Sequence, residues 1–321
     1  IPRALWPRIL ESKILLKRLR QKAAQSFKRI NHFNTSGLVA EDFRIKDSFI
    51  RGITAMEAKT DVSKIKANDA RKLIREGKWT GPTCGLALGY TQANLVILPK
   101  ELAYDFLLFA YRNPKACPIL DVTDVGSPEP KGVAPGADLR TDIPKYRIYR
   151  KGHLEGEVKD ITSCWREDFV AFLLGCSFTF EKALLENGIP VRHIEQGRNV
   201  PMYITDIQTR PAGAFSGNMV VSMRPIPQEL VIRAVQVTSR FPAVHGAPVH
   251  IGDPSKIGIR SLGMPDFGDA VEIRDGEVPV FWACGVTPQA VAMKSRPEIM
   301  ITHSPGHMFI TDVKDEQLSV I

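Results

Sequence analysis

Four of the seven histidines lie in two turns that are rich in glycine and proline. The first turn carries His245 and His250 and runs on to Asp253, and the second carries His303 and His307. Histidine suits proton transfer because its ordinary pKa lies close to neutrality. We therefore predict that both turns face a polar pocket and that these four histidines are candidate catalytic residues. Structural hydrogen bonding would account for any single one of them equally well.

The first turn also offers a metal-binding alternative. Imidazole and carboxylate groups are suitable metal ligands, and His245, His250 and Asp253 would supply three of them. Neither turn has the helical HExxH spacing that marks many zinc enzymes. We expect no metal and no organic cofactor, and we keep the three-ligand site as the alternative of a metal-dependent hydrolase or hydratase.

A strand, a turn and a helix start are predicted between residues 280 and 289. Thr287 is a good helix N-cap, and Pro288 suits the first helical turn. The free N–H groups at a helix start can bind a carboxylate, which makes Thr287 and Gln289 candidates for substrate binding. Cys284 is a candidate catalytic thiol, although a small packing residue is the simpler interpretation of this cysteine alone.

Two further polar segments are candidates for substrate binding. Arg198 and Asn199 follow a glycine in a predicted loop, where a guanidinium and an amide can hold a carboxylate, and Tyr203 follows shortly after. Tyr90 and Gln92 lie in a polar turn that leads into the first predicted strand. An ordinary solvated turn would explain either segment as well.

The chain lacks the motifs of several large enzyme classes. It contains no GxxxxGK[ST], no GxGxxG after a predicted strand and no GxSxG. Nucleotide-driven ligation, dinucleotide redox chemistry and the common serine hydrolase mechanism therefore lose support.

The elements that would position these residues alternate along the chain. Residues 94–98 predict a buried strand, residues 101–112 a helix and residues 117–122 the next strand, an order that is typical of a βαβ unit. The apolar region 165–185 predicts a helix that is broken near Gly175. We therefore predict an α/β fold in two parts, with a three-layer α/β core that contains a partly parallel sheet and a smaller α+β part.

The net charge of +8 is confined to one segment. Residues 1–33 hold nine basic side chains and one acidic side chain, and the remaining 34 basic and 34 acidic residues balance. A neutral body argues against nucleic-acid binding. The basic segment places apolar residues near helical spacing and predicts an amphipathic targeting leader for the mitochondrial matrix, with the cytoplasm as the alternative.

Residues 34–67 would then connect the leader to a module at 68–321, with internal divisions expected near 126–144 and near 240. The five cysteines are scattered without a CxxC pair, which indicates a reducing compartment. No apolar run approaches the ~18 residues that a membrane span needs, so we expect no membrane association. The sequence leaves the oligomeric state open, a homo-oligomer included.

Eight segments resemble the D-glutamate cyclase family, whose members have long been catalogued as hydro-lyases. They are residues 79–83, 89–99, 138–144, 172–178, 197–203, 245–254, 281–289 and 302–307. The resemblance runs from about Asn68 to the C-terminus. It implies a two-part α/β fold and the compact form of the family, without the additional C-terminal domain of vertebrate mitochondrial members. The activity that it implies is a carbon–oxygen lyase reaction, the dehydration of D-glutamate to 5-oxo-D-proline.

Under that activity the binding partner is a small amino or organic acid. We expect its α-carboxylate to bind Arg198 and Asn199 or the helix start at Thr287. A histidine of the two turns would move the proton, and backbone N–H groups near Gly285 would stabilise the oxyanion. A non-catalytic amino-acid-binding protein is the alternative from a different functional class.

Overall fold

The structure, a computed structural model, describes residues 61–320. The predicted leader at 1–33 and the connector up to residue 60 lie outside the described residues. The first described helix begins at Ala67, close to the predicted start of the module at Asn68.

The described residues form eleven β-strands in two sheets. Seven strands build the larger sheet: β1 (Tyr90–Pro99), β2 (Ile119–Val122), β3 (Tyr146–Arg150), β4 (His153–Val158), β5 (Phe169–Gly175), β10 (Ile299–His303) and β11 (Phe309–Lys314). Four strands build the smaller sheet: β6 (Met202–Gln208), β7 (Asn218–Pro227), β8 (His250–Ile251) and β9 (Glu277–Ala283).

Six α-helices accompany the sheets in the described part of the chain. They are α1 (Ala67–Arg75), α2 (Lys100–Arg112), α3 (Phe178–Glu186), α4 (Arg192–Gln196), α5 (Val231–Ser239) and α6 (Thr287–Ser295). No helix among residues 61–320 combines the length and the apolar character that crossing a membrane requires.

The prediction of a partly parallel α/β sheet is wrong. Every strand pair in both sheets is antiparallel, and the protein has a mixed α+β fold. The error arises at β5, whose apolar sequence was predicted as part of a helix. In the structure β5 lies between β1 and β2 and pairs with each of them in the antiparallel sense. The strand–helix–strand unit therefore exists in sequence, but its two strands are not neighbours.

Strand β1 is the centre of the larger sheet, and nine of its ten residues are buried. Its alternate side chains enter two separate cores, Val96 and Leu98 on one face and Leu95 and Ile97 on the other. A strand that is covered on both faces carries a continuous apolar run, which is why its position was evident from the sequence. Helix α2 covers the first face, and the segment 133–143 covers the second.

Two strands share one edge of β1. Strand β11 pairs with the first half of β1, where Ala93 faces Phe309, and β10 pairs with the second half, where Val96 faces Thr302. The chain leaves the sheet between them, from residue 304 to residue 308. This gap in the sheet edge lies beside Leu95, and it places the second histidine turn next to the centre of the sheet.

The smaller sheet has the order β6-β7-β9-β8. Helices α3 and α5 pack near it through an apolar core that includes Phe180, Leu184, Ala234 and Trp282. The core also encloses Arg224, a fully buried residue of β7 whose guanidinium lies over the rings of Phe180 and Trp282.

Candidate active site

Two cavities meet beside the gap in the larger sheet. The outer cavity has a volume of about 510 Å³. Its polar lining is Tyr90, Gln92, Glu181, Lys182, His193, Arg198, Asn199, Asp269 and Asp315. The inner cavity has a volume of about 10 Å³, enough for about one water molecule. Its polar lining is Asn94, Cys176, Ser177, Asn199, Cys284 and His303. Phe178 and Asn199 belong to the walls of both cavities.

His303 presents a fixed hydrogen-bond donor to the inner cavity. Its Nδ1 accepts the backbone N–H of Leu95 at 3.1 Å, because a backbone amide can only donate. Nδ1 is therefore unprotonated, and the neutral ring carries its proton on Nε2. That Nε2 is buried and has no hydrogen-bond partner. Burial lowers the pKa of His303 to about 3, so the ring stays neutral at physiological pH.

Two asparagine amides approach the backbone around His303 where the chain carries glycine. A Cβ atom on Gly285 would lie 1.8 Å from Nδ2 of Asn94. A Cβ atom on Gly306, which also has a φ of +80°, would lie 2.9 Å from Nδ2 of Asn199. Any side chain at either glycine would displace an amide, so both glycines are required for this arrangement.

A buried polar network forms one wall of the outer cavity. Nε of Arg224 donates to Oε1 of Glu181 at 3.1 Å, and its two Nη groups donate to the hydroxyls of Ser222 and Ser177 at 3.1 Å each. Nε2 of His193 lies 3.1 Å from the same Glu181 oxygen. Burial alone would raise the pKa of Glu181, but His193 and Arg224 hold it at about 2. The carboxylate is therefore charged and almost fully compensated by its neighbours.

Arg198 lies in the open part of the same cavity. Its side chain is exposed, and its Nη1 donates to the backbone oxygen of Ala270. Among the described residues no carboxylate forms an ion pair with Arg198, so most of its donors remain free for an anion. The adjacent Asn199 is anchored through its backbone N–H, which donates to Asp269 at 2.8 Å. A cation and an amide thus stand side by side where the outer cavity meets the inner one.

Comparison with known proteins identifies relatives along most of this chain. A family model described as D-glutamate cyclase matches residues 170–312. The "Putative hydro-lyase Teth514_1597" of Thermoanaerobacter sp. strain X514 is 81% identical over 264 residues, which cover 82% of this chain and 100% of the relative. The "Putative hydro-lyase YcsI" of Bacillus subtilis strain 168 is 68% identical over 253 residues, which cover 79% and 98% of the two chains. This chain belongs to the D-glutamate cyclase family.

The family assignment confirms the resemblance drawn from the sequence motifs. These relatives are bacterial proteins, so they lend no support to the predicted mitochondrial location. Among solved structures, a nitrogen repressor-like protein from Methanococcus jannaschii covers 77% of this chain and 98% of its own length, at 10% identity and a TM-score of 0.32. That likeness is too weak to support any inference.

In this D-glutamate cyclase family member, six of the predicted site residues line the two cavities. They are Asn199, Cys284 and His303 at the inner cavity and Tyr90, Gln92, Arg198 and again Asn199 at the outer one, with Gln92 and Tyr90 at the start of β1. Burial raises the pKa of Cys284 to about 11, so its thiol is protonated at neutral pH. The side-chain amide of Gln92 is already hydrogen-bonded to Thr83. Its oxygen accepts from the Thr83 hydroxyl at 2.7 Å, and its nitrogen donates to the Thr83 backbone oxygen at 2.9 Å.

Thr287 and Gln289 are buried behind the inner cavity and do not line it. The hydroxyl of Thr287 donates to the backbone oxygen of Cys284 at 2.7 Å and accepts the N–H of Val220 at 3.1 Å, which ties the turn to β7. Gln289 donates to the backbone oxygen of His303 at 2.9 Å. The helix start therefore positions the residues of the cavity, and its first N–H groups are already bonded within the turn.

The other predicted site residues do not line either cavity. Nδ1 of His307 bonds to the backbone oxygen of Pro305 at 3.0 Å, and the hydroxyl of Tyr203 donates to the backbone oxygen of Leu262 at 2.7 Å. His245 is buried and bonds through Nδ1 to the backbone oxygen of Lys115 at 2.6 Å. Burial lowers the pKa of His245 to about 4.

The proposed ligand set of His245, His250 and Asp253 does not converge in the structure. His250 bonds to the backbone oxygen of Asp253 at 2.7 Å, and the Asp253 carboxylate accepts the N–H of Ser255 at 2.9 Å. Within residues 61–320, the one group of three such side chains whose ligand atoms lie within 4.8 Å of one another is Cys84, Glu181 and His193. Burial and Glu181 raise the pKa of Cys84 to about 12, and Glu181 is already paired with Arg224.

Several polar residues of the site were not identified from the sequence. They are Asn94, Ser177, Glu181, His193, Arg224 and Asp315. Arg224 carried a usable signal, because a charged residue inside an otherwise apolar strand must have a buried partner. Glu181 carried none, since a glutamate in a helix is most often solvated.

Proposed function

We propose that this protein is a hydro-lyase that removes water from an amino acid with two carboxyl groups, by cyclising D-glutamate to 5-oxo-D-proline. The observation that carries the proposal is the unpartnered Nε2–H of His303 in a cavity that adjoins the guanidinium of Arg198, which forms no ion pair among the described residues. One group suits an oxygen that becomes negative during the reaction, and the other suits a permanent carboxylate.

The charges of the outer cavity match those of a zwitterionic amino acid. Arg198 supplies a cation for the α-carboxylate, and Asp269 supplies an acidic group near it. Holding the α-carboxylate at Arg198 would let the rest of the substrate reach toward Asn199 and the inner cavity. Fixing a bent conformation in this way removes much of the entropic barrier to ring closure.

Ring closure then needs one bond to form and one to break. After the α-ammonium group has lost its proton, the α-amine attacks the carbon of the protonated γ-carboxyl group, a C–N bond forms and the C–O bond to the hydroxyl breaks. The amine nitrogen gives up one proton and the leaving hydroxyl takes up one, so that one molecule of water is released. In the tetrahedral state the former carbonyl oxygen carries negative charge. Nε2–H of His303 and the Asn199 amide would donate hydrogen bonds to that oxygen, and a neutral, fixed donor costs no reorganisation at that moment.

Asp315 is suited to deliver the proton to the leaving hydroxyl. It lines the outer cavity, is 7% exposed, and accepts a hydrogen bond from the hydroxyl of Thr91 at 3.2 Å. Burial raises the pKa of Asp315 to about 7, so a large share of the molecules hold this proton at neutral pH. A general acid works best when its pKa lies near the working pH.

Incubation of the purified protein with D-glutamate, followed by chiral liquid chromatography and mass spectrometry, tests the proposal. We expect 5-oxo-D-proline to accumulate in proportion to protein concentration, above the slow spontaneous cyclisation measured with heat-inactivated protein. Thermal stabilisation by D-glutamate without any product would instead favour a non-catalytic amino-acid-binding protein. The absence of both product and thermal stabilisation would contradict both assignments.

A further inference from the structure

Three exposed aliphatic side chains converge on the outer cavity. Leu88, Leu185 and Ile194 line it, and they are 53%, 47% and 40% exposed. They come from three different elements: the turn before β1, helix α3 and helix α4. Single exposed leucines are normal on a protein surface, whereas convergence on one concave site indicates a binding surface. Phe178 continues this surface down to the inner cavity.

The size of the outer cavity exceeds what D-glutamate needs. A volume of about 510 Å³ falls in the range of pockets that enclose drug-sized ligands. D-Glutamate is a small, charged molecule, and the polar groups near Arg198 and Asn199 suffice to hold it. The aliphatic side chains would then face water in the complex, which gives them no role in binding D-glutamate itself.

Of the three functional groups of the substrate, only the γ-carboxyl can carry an additional apolar group without loss of the nucleophile or of the charge that Arg198 recognises. The α-amine must stay free because it is the nucleophile, and the α-carboxylate supplies the charge that Arg198 recognises. The γ-carbonyl carbon is where a bond breaks, so its leaving group can vary without removing either feature. An aliphatic leaving group would extend from the inner cavity along Phe178 to the aliphatic side chains of the outer cavity.

We propose that the outer cavity binds an apolar leaving group, so that γ-amides of D-glutamate with aliphatic substituents are substrates alongside D-glutamate. This inference rests on the proposed function and names a wider substrate class for the same site. The α-amine attacks the γ-carbonyl carbon, the ring C–N bond forms, and the bond to the amide nitrogen breaks. One proton passes from the α-amine to the leaving nitrogen, giving 5-oxo-D-proline and an alkylamine with nothing oxidised or reduced. The Asp315 carboxyl, in the same cavity, is placed to supply a proton to a basic leaving nitrogen.

The test compares kcat/KM for γ-D-glutamyl-n-butylamide and for D-glutamine, whose leaving group is ammonia. We expect a ratio of about 10 or more in favour of the butylamide, because each buried methylene contributes to binding. Replacing Leu185 or Leu88 by serine should lower this ratio toward one. The ratio is insensitive to a partial loss of folded protein, since both substrates are measured on the same sample.

A matched control is Leu154→Ser, which alters a leucine of similar exposure, 49%, on β4, outside the outer cavity. It should leave the ratio unchanged. A wild-type ratio near one with normal turnover of D-glutamate would overturn this inference and leave the proposed function intact. A fall of this kcat/KM ratio in Leu154→Ser as large as the fall in Leu185→Ser would also overturn the inference. Turnover of the butylamide without turnover of D-glutamate would overturn the proposed dehydration of D-glutamate and support only the binding of an apolar leaving group in the outer cavity.

Discussion

Two arginines near the outer cavity differ in how far their charge is compensated by neighbouring groups. Arg224 is fully buried, and every part of its guanidinium contacts a partner in the network with Glu181, Ser177 and Ser222. Arg198 is exposed and donates to one backbone oxygen. The region around Arg224 is electrostatically closed, because its charges compensate one another, and it holds the wall of the cavity in place. The region around Arg198 is open, and an incoming anion would compensate its charge. We therefore expect mutations in the closed region to act on stability and mutations in the open region to act on ligands.

The largest effect should follow from Arg224→Met. This change leaves the Glu181 carboxylate buried without its cation, which typically costs about 3–5 kcal/mol of unfolding free energy. Ser177→Ala removes a single hydrogen bond to the same guanidinium and should cost only about 1 kcal/mol. Denaturation in guanidinium chloride measures both changes. Equal losses in the two variants would show that Arg224 and Glu181 do not form a compensated pair.

The next effect concerns the donor at the inner cavity. His303→Leu removes Nε2–H and should lower kcat for the cyclisation by about 100-fold, as expected when one donor to an oxyanion is lost. His303→Gln should retain more activity, because its amide can accept from Leu95 and still donate. His307→Gln, outside both cavities, serves as the control and should stay within about 2-fold of wild type. Equal kcat in wild type and His303→Leu would remove His303 from the mechanism.

A smaller effect is expected at Arg198. Arg198→Met should weaken the binding of glutarate, an unreactive dicarboxylate, about 10-fold by removing a charge-assisted hydrogen bond. Binding of the uncharged glutaramide should barely change. Arg274→Met alters an exposed arginine that pairs with Glu272 and lies outside the cavity, and it should change neither affinity. Titration calorimetry distinguishes these cases, and an unchanged affinity for glutarate in Arg198→Met would refute the role of this residue.

The last effect is a pH dependence of stability at Asp315, which is small for each pH unit and accumulates across the titration window. Its pKa is raised from 3.8 to about 7 by burial, so the folded state retains a proton that the unfolded chain releases. The stability that this group contributes is complete below pH 3.8 and is lost as the pH rises through 7. Relative to Asp315→Asn, the wild-type protein should lose about 1 kcal/mol per pH unit across that window. Parallel stability curves for the two proteins between pH 4 and 8 would show that Asp315 titrates normally.

The central strand and its following helix were predictable from local sequence. The apolar run at 94–98 lies within β1, and the helix predicted at 101–112 is α2 with one additional residue at its start. Pro99 marks the boundary between them. The strand and the helix start predicted between residues 280 and 289 likewise correspond to the end of β9 and the start of α6.

The sheet topology was not predictable in the same way. The apolar sequence of β5 has no clear period, so a buried strand and a buried helix cannot be told apart there. Because β5 inserts between β1 and β2, that one misassignment turned an antiparallel sheet into a parallel one. The candidate site shows a similar division. The motifs included His303, Arg198 and Asn199, which line the two cavities, whereas the positions of Thr287 and Gln289 behind the inner cavity depend on which way buried side chains point.

The gap between β10 and β11 also decides which atom of His303 carries the proton. At this point of β1 the Leu95 N–H donates to the imidazole of His303 instead of to a backbone carbonyl, so the sheet itself selects the tautomer. No surface acid takes part in that choice. Residues around the outer cavity can therefore be exchanged over evolutionary time without altering the donor, and family members that keep this sheet are free to diverge in the compounds they accept.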